Sequence, residues 1–149
     1  MKKSGFTILE LLVVISVLVI LIGIAIPRFK GMQDAGKIAQ AKSELKTMQT
    51  AVESYYMNQS PMAYPASSPT LGGSTLATTT PQIINSTPPY DPFGATTTTE
   101  YKYVFTTPYY VIGSVGTGTD LSTLGVNTVT GVVTKATGNL CVTNAVSGC

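Results

Sequence analysis

An apolar run from Phe6 to Ile26 contains a single charge, Glu10, and no other feature narrows what this chain can fold into as far. As a helix rising about 1.5 Å per residue, the run is long enough to cross the roughly 30 Å hydrocarbon core of a bilayer. Glu10 lies toward one end of it, just after the short cationic leader Met1-Lys2-Lys3-Ser4-Gly5, and Leu11 to Ile26 continue without charge. A carboxylate in a membrane helix costs about 2.5–3.5 kcal/mol on insertion scales, so it implies a partner and a task. The run itself has no Lys, Arg or His. A group on another molecule is the natural counter-charge.

Two simpler readings compete with that one. A secretory signal would use Lys2 and Lys3, an apolar stretch and the small-x-small triplet Gly23-Ile24-Ala25 as a cleavage site. It would need neither a carboxylate, nor so long a run, nor a helical pattern that continues beyond the cut. A plain single-span anchor carrying a binding module accounts for the length and leaves Glu10 unexplained.

The residues around Glu10 are more specific. Gly5-Phe6-Thr7-Ile8-Leu9-Glu10, followed by Leu11-Leu12-Val13-Val14-Ile15, resembles the N-terminal signature of type IV pilins and type II secretion pseudopilins. The resemblance implies cleavage of leader 1–5 after Gly5 by a prepilin peptidase and N-methylation of the new terminus, Phe6. It also implies pairing of Glu10 with the terminal amine of a neighbouring subunit during assembly. The partners it implies are further copies of the chain and the assembly machinery of the inner membrane. The N-terminus would stay inside, with the head in the periplasm, until the subunit enters an extracellular pilus or a periplasmic pseudopilus. An interchain ion pair in a low-dielectric bundle rewards one register, because an unpaired newcomer leaves a buried charge.

Pro27, Gly23 and Gly31 weaken the helix where it leaves the apolar run, and a kink is expected at Pro27. Helical spacing resumes at once. Ile38, Ala41, Leu45, Met48, Val52 and Tyr55 recur at three- and four-residue steps, which puts them on one face. Lys42, Glu44, Lys46, Gln49 and Glu53 fall mostly off that stripe and can be solvated. The reading is thus a membrane and polymerisation helix over 6–27 and an amphipathic helix over 28–60, followed by a head over 61–149. Ser60-Pro61 ends the helix, and prolines and glycines mark a loop over 61–100. Aromatic and β-branched stretches at Tyr101–Phe105, Tyr109–Ile112, Val126–Lys135 and Leu140–Thr143 predict four short antiparallel strands over about 101–143. Laid on the helical stripe, they give an α+β fold.

Composition excludes other classes. The net charge is only +2 and there is no histidine. From Pro61 onward the charges are Lys102, Lys135, Asp91, Glu100 and Asp120 in a threonine-rich surface. That is a poor phosphate platform, so nucleic acid is not an expected partner. Without histidine or suggestively paired carboxylates, an enzyme is not expected, nor is a cofactor. The aromatics Phe6, Phe29, Tyr55 and Tyr56 read as packing residues. Asn58-Gln59-Ser60 and Asn85-Ser86-Thr87 match the glycosylation pattern, which is short enough to arise by chance.

Cys141 and Cys149 are the only thiols. Their spacing is wrong for a redox or zinc motif, and an oxidising compartment favours a disulfide closing the loop 141–149. Chain entropy makes so short a bridge worth about 2.5 kcal/mol. Asp91-Pro92-Phe93-Gly94 with Tyr101-Lys102-Tyr103 resembles a D-P-W-G and paired-tyrosine region of many pseudopilins, with Phe93 in place of Trp. Major pseudopilins carry calcium in a loop that corresponds to Gly116–Asp120. Only one carboxylate, Asp120, is offered there, whereas calcium takes six to eight oxygens, so no metal is expected. A surface pilus subunit is the favoured reading. A secretion pseudopilin is the alternative, and a membrane-anchored binding module a further one.

Overall fold

The computed structural model describes residues 6–68, 76, 89–118 and 120–149. The leader with Gly5, the second glycosylation pattern at Asn85, most of the proline- and glycine-marked loop and Thr119 lie outside the described residues. One helix, α1, spans Ile8–Asn58, and the chain divides into two compact units, 1–36 and 37–149.

The first unit is helical from Ile8, and each residue from Phe6 to Ile26 is exposed. An apolar helix with no buried side is suited to lipid or to other helices, because water leaves that surface unpaid for. The one hydroxyl in mid-run, Ser16, donates to the Val13 carbonyl at 2.8 Å and so presents no unsatisfied donor to an apolar surrounding. Pro27 falls inside α1.

The second unit is built on the last turns of α1. Ala41, Leu45, Met48 and Val52 are buried, and Ile38 and Tyr55 at the two ends of the stripe are half-buried. The sheet above them begins with a hairpin of β1 (Lys102–Thr106) and β2 (Tyr109–Ser114), turning at Thr107-Pro108. Next, β3 (Gly125–Val126) and β4 (Val133–Thr134) form a separate two-stranded ribbon, and β5 (Leu140–Thr143) returns to pair with β2. The main sheet is therefore antiparallel in the order β1-β2-β5.

The period-two alternation of a strand decides what covers each face. Tyr103, Tyr110 and Ile112, with Phe105, Leu140 and Val142, face α1 and close over Leu45, Met48 and Val52. Val111 points the other way and packs with Leu124 and Val133, flanked by Val104, Cys141 and Ala145. The outer edge of β1 is covered by chain before it: Ser67 Oγ accepts from the Phe105 N–H and donates to the Phe105 carbonyl, both at 2.8 Å. Covering an edge in this way removes a site for unwanted strand pairing.

Two expectations are corrected. Val126–Lys135 is not one strand; it folds back on itself as the β3–β4 ribbon. Asn127 causes the reversal, its Oδ1 accepting from the N–H groups of Val129 and Thr130, both at 2.9 Å. Gly131 completes it at φ 63°, a left-handed conformation that side chains disfavour.

The second correction concerns Glu44 and Glu53, which are half-buried acceptors rather than solvated charges. Tyr110 Oη donates to Glu53 Oε1 at 2.7 Å, Tyr64 Oη to Glu53 Oε2 at 3.1 Å, and Tyr101 Oη to Glu44 Oε2. Burial pushes the Tyr101 and Tyr110 hydroxyls far above their ordinary range, and hydrogen bonding to these carboxylates pushes them further. They remain donors at any ordinary pH. The stripe on α1 is thus bordered by carboxylates that satisfy the polar ends of the buried tyrosines. Glu53→Ala should lower unfolding stability of the detergent-solubilised chain by roughly 1–3 kcal/mol, since it strands the hydroxyls of Tyr64 and Tyr110. Glu53→Gln should cost less. An unchanged urea midpoint for Glu53→Ala would show that these bonds carry no net stability.

Candidate assembly site

The first turn of α1 gives Glu10 a local partner. Thr7 N–H and Thr7 Oγ1 lie 3.4 and 3.3 Å from Glu10 Oε2, and the Glu10 N–H donates to Thr7 Oγ1 at 3.2 Å. With the Leu11 N–H on the Thr7 carbonyl at 3.2 Å, this is a reciprocal cap in which residues N-cap and N3 each satisfy the other's free amide. Its signal, Thr7-Ile8-Leu9-Glu10, is the S/T-x-x-E pattern. Thr7 is a neutral partner of Glu10, which a search for counter-charges alone does not find.

The cap is neutral and uses one carboxylate oxygen. Among the described residues nothing reaches Glu10 Oε1. A carboxylate at a helix N-terminus also sits at the positive end of the macrodipole, which favours an anion within the first turn. Phe6, immediately before the cap, is 77% exposed. Glu10 is therefore held through one oxygen, and among the described residues its other oxygen meets no partner.

The other predicted residues lie in the head. Asp91 is buried, and its carboxylate ties a turn to the end of β2. Oδ1 accepts from the Phe93 N–H and from Ser114 Oγ, both at 2.9 Å, and Oδ2 accepts from the Val115 N–H at 2.7 Å. The Gly94 N–H closes the turn on the Asp91 carbonyl at 2.9 Å. A Cβ on Gly94 would meet the Thr99 Cβ at 2.2 Å, so the turn accepts no side chain there unless Thr99 moves. Lys37 Nζ sits 5.8 Å from the centre of the Phe93 ring, within cation–π range. This segment is structural, a clamp between loop and sheet.

Cys141 and Cys149 are joined in a disulfide with Cα atoms 5.3 Å apart. It ties the last residues to β5 while their backbone holds the ribbon: the Val133 N–H donates to the Ser147 carbonyl and the Val146 N–H to the Gly131 carbonyl, both at 2.9 Å. Asp120 is exposed. Its Oδ1 accepts from Ser122 Oγ at 2.6 Å and the Ser122 N–H at 2.7 Å, and these bonds hold its carboxyl below the usual range. Among the described residues no three His, Cys, Asp or Glu converge as a metal site. The turn at Asp120 closes on itself with a single carboxylate.

Residues 1–26 match the family model described as the prokaryotic N-terminal methylation motif. Beyond that motif the chain is similar to type IV pilins and to type II secretion pseudopilins. It is 40% identical over 55 residues to the type IV major pilin protein PilA of Myxococcus xanthus, covering 37% of this chain and 25% of that one. To the type II secretion system core protein G of Pseudomonas aeruginosa it is 32% identical over 65 residues, 44% of each chain. To the core protein G of Dickeya chrysanthemi it is 29% identical over 111 residues, 69% of each. The match thus spans a quarter of the length of the first relative and under half of the second. No solved structure gives a significant match.

Asp91→Ala removes three acceptor contacts at once. Unfolding stability of the full chain should fall by roughly 1–3 kcal/mol or more, because buried donors are left without partners. Urea titration checks it, and a midpoint equal to that of the parent protein would contradict the clamp.

Proposed function

We propose that this chain is a prepilin, cleaved after Gly5, methylated on Phe6 and polymerised from the inner membrane into a type IV pilus through the helix that begins at Ile8. The observation that carries the reading is Glu10: a carboxylate held through one oxygen, with the other unpartnered among the described residues, set in the exposed apolar run 6–26 and within the N-terminal methylation motif. The amine of Phe6 on a neighbouring subunit is the cation that cleavage would create, and a low-dielectric bundle makes its pairing with Glu10 decisive for register. The head stays in the periplasm until the subunit is incorporated. Pro27, which lacks an amide hydrogen, is the place where α1 bends most easily during packing. The role is structural and involves no catalysis.

A pseudopilin of a type II secretion system is the second reading. It is favoured by the match to core protein G that extends over 111 residues, and by the Asp91–Gly94 clamp. Recovery of the chain in filaments sheared from the cell surface supports the pilus. Its confinement to the periplasm in secreting cells supports the pseudopilus.

Glu10→Val tests what the two readings share. Relief of about 2.5–3.5 kcal/mol of insertion cost should leave membrane insertion at least as good as in the parent protein. Cleavage after Gly5 should survive, and incorporation into filaments should fall at least tenfold, read as the ratio of assembled to membrane-bound subunit. Parental filament yield from Glu10→Val, with no native copy present, would overturn the assigned role of this carboxylate.

A further inference from the structure

We propose that the cleft around the Cys141–Cys149 bridge is a thiol–disulfide exchange site selective for anionic thiols. The cleft has a volume of about 440 Å³, and both half-cystines line it together with Lys42 and Lys46 of α1 and Lys135 beyond β4, over an apolar floor that includes Leu45 and Val142. No lining side chain is acidic. The lysines meet only neutral acceptors: Lys46 Nζ donates to Gln49 Oε1 at 3.2 Å and Lys135 Nζ to the Asn139 carbonyl at 3.0 Å. Among the described residues no acceptor reaches Lys42. Four side-chain carboxylates of the head are engaged elsewhere, Glu44 and Glu53 on tyrosines, Asp91 in its clamp and Asp120 on Ser122. Three lysines without an acidic side-chain partner therefore line the cleft of the disulfide, and outnumber the single α-carboxylate of Cys149 there, in a head that is otherwise sparsely charged.

Exchange proceeds by attack of a thiolate on one sulfur and departure of the other sulfur as a thiolate, so negative charge is present throughout. A cavity of this size keeps its walls within about one Debye length, ~10 Å at 0.1 M salt, of the sulfurs. The lysines thus attract an anionic reagent and stabilise the leaving thiolate. Cys149 is exposed and Cys141 half-buried, which makes the Cys149 Sγ the accessible target. The incoming thiolate bonds to Cys149 Sγ, the Cys141–Cys149 bond breaks, and its electron pair leaves on Cys141 Sγ, which takes a proton from water. A second thiolate attacks the reagent sulfur of the mixed disulfide and expels Cys149 as a thiolate. Two small thiols are oxidised to their disulfide as the protein bridge is reduced. The product has lost the covalent tie of the strap that holds the ribbon through Val146 and Ser147.

The test uses the full chain in an uncharged detergent. Initial reduction rates are measured with 2-mercaptoethanesulfonate, 2-mercaptoethanol and cysteamine, each divided by its rate on an uncharged disulfide peptide to remove intrinsic reactivity. At 10 mM salt, where the Debye length is about 30 Å, the normalised rate should be at least about fivefold higher for the anionic than for the neutral thiol, and lowest for the cationic one. The preference should vanish at 1 M salt and in Lys42→Gln/Lys46→Gln/Lys135→Gln, fall in Lys42→Gln/Lys46→Gln, and persist in Lys42→Arg/Lys46→Arg. Equal normalised rates at low salt, or a preference that ignores both salt and the lysines, would overturn the proposal. The salt series needs no variant. Because the reaction is read on the isolated subunit, its failure leaves the filament reading untouched, and failure of that reading leaves the exchange site untouched.

Discussion

Glu10 confronts the chain with a charge that an apolar helix cannot solvate. The Thr7 hydroxyl and amide answer part of the need and give the helix a defined start, and both act as neutral donors on a single oxygen. A neutral cap lowers the cost of an isolated subunit without removing the advantage of a full counter-charge. On this account the same carboxylate serves two states. In the single subunit it completes the first turn of α1; under the proposed function its other oxygen would receive the amine of a neighbour, and only that arrangement would pair the charge and tie assembly to a register.

The second unit is shaped by a different demand, the burial of large tyrosines against a single helix. Tyr101, Tyr103 and Tyr110 are the largest fully buried side chains under the sheet, and each hydroxyl needs an acceptor at the rim. Glu44 and Glu53 meet two of them, and the Pro65 carbonyl accepts from Tyr103 Oη at 3.1 Å. Helix, loop and sheet are therefore joined by directional bonds as well as by packing. The opposite face is held by less, a two-stranded ribbon and a C-terminal strap, and the disulfide is the covalent element there.

Legibility in the sequence followed the strength of the local pattern. The stripe from Ala41 to Val52 was readable because helical periodicity over several turns survives any tertiary detail, and the Thr106–Tyr109 hairpin because a proline turn separates two β-rich stretches. Val126–Lys135 was misread because its β-branched residues outweighed the turn chemistry of Asn127 and Gly131. The glutamates on α1 are acceptors although helical spacing leaves a charge at the stripe border free to be solvated, because Tyr101 and Tyr110, 57 residues away in the chain, and Tyr64 come to them only in the folded head. Asp91 as a clamp was equally beyond reach, since Ser114 and Val115 come to it only when β2 is in place. At the assembly site Glu10 itself stood out at once. The Thr7 cap is legible as well, in the spacing Thr7-x-x-Glu10, but it is a neutral partner that the charge pattern does not show.

The most direct test of this account is a distance between copies. Filaments co-assembled from two pools, one labelled with nitrogen-15 at phenylalanine and the other with carbon-13 at the glutamate side-chain carboxyl, allow solid-state NMR dephasing to report only contacts between subunits. The account predicts strong dephasing between the Phe6 amine nitrogen and the Glu10 carboxyl carbon, at a separation of about 4 Å or less, as an ion pair requires. Intact mixed filaments without that dephasing would show that the buried carboxylate is neutralised some other way, and would contradict the claim that it selects its neighbour.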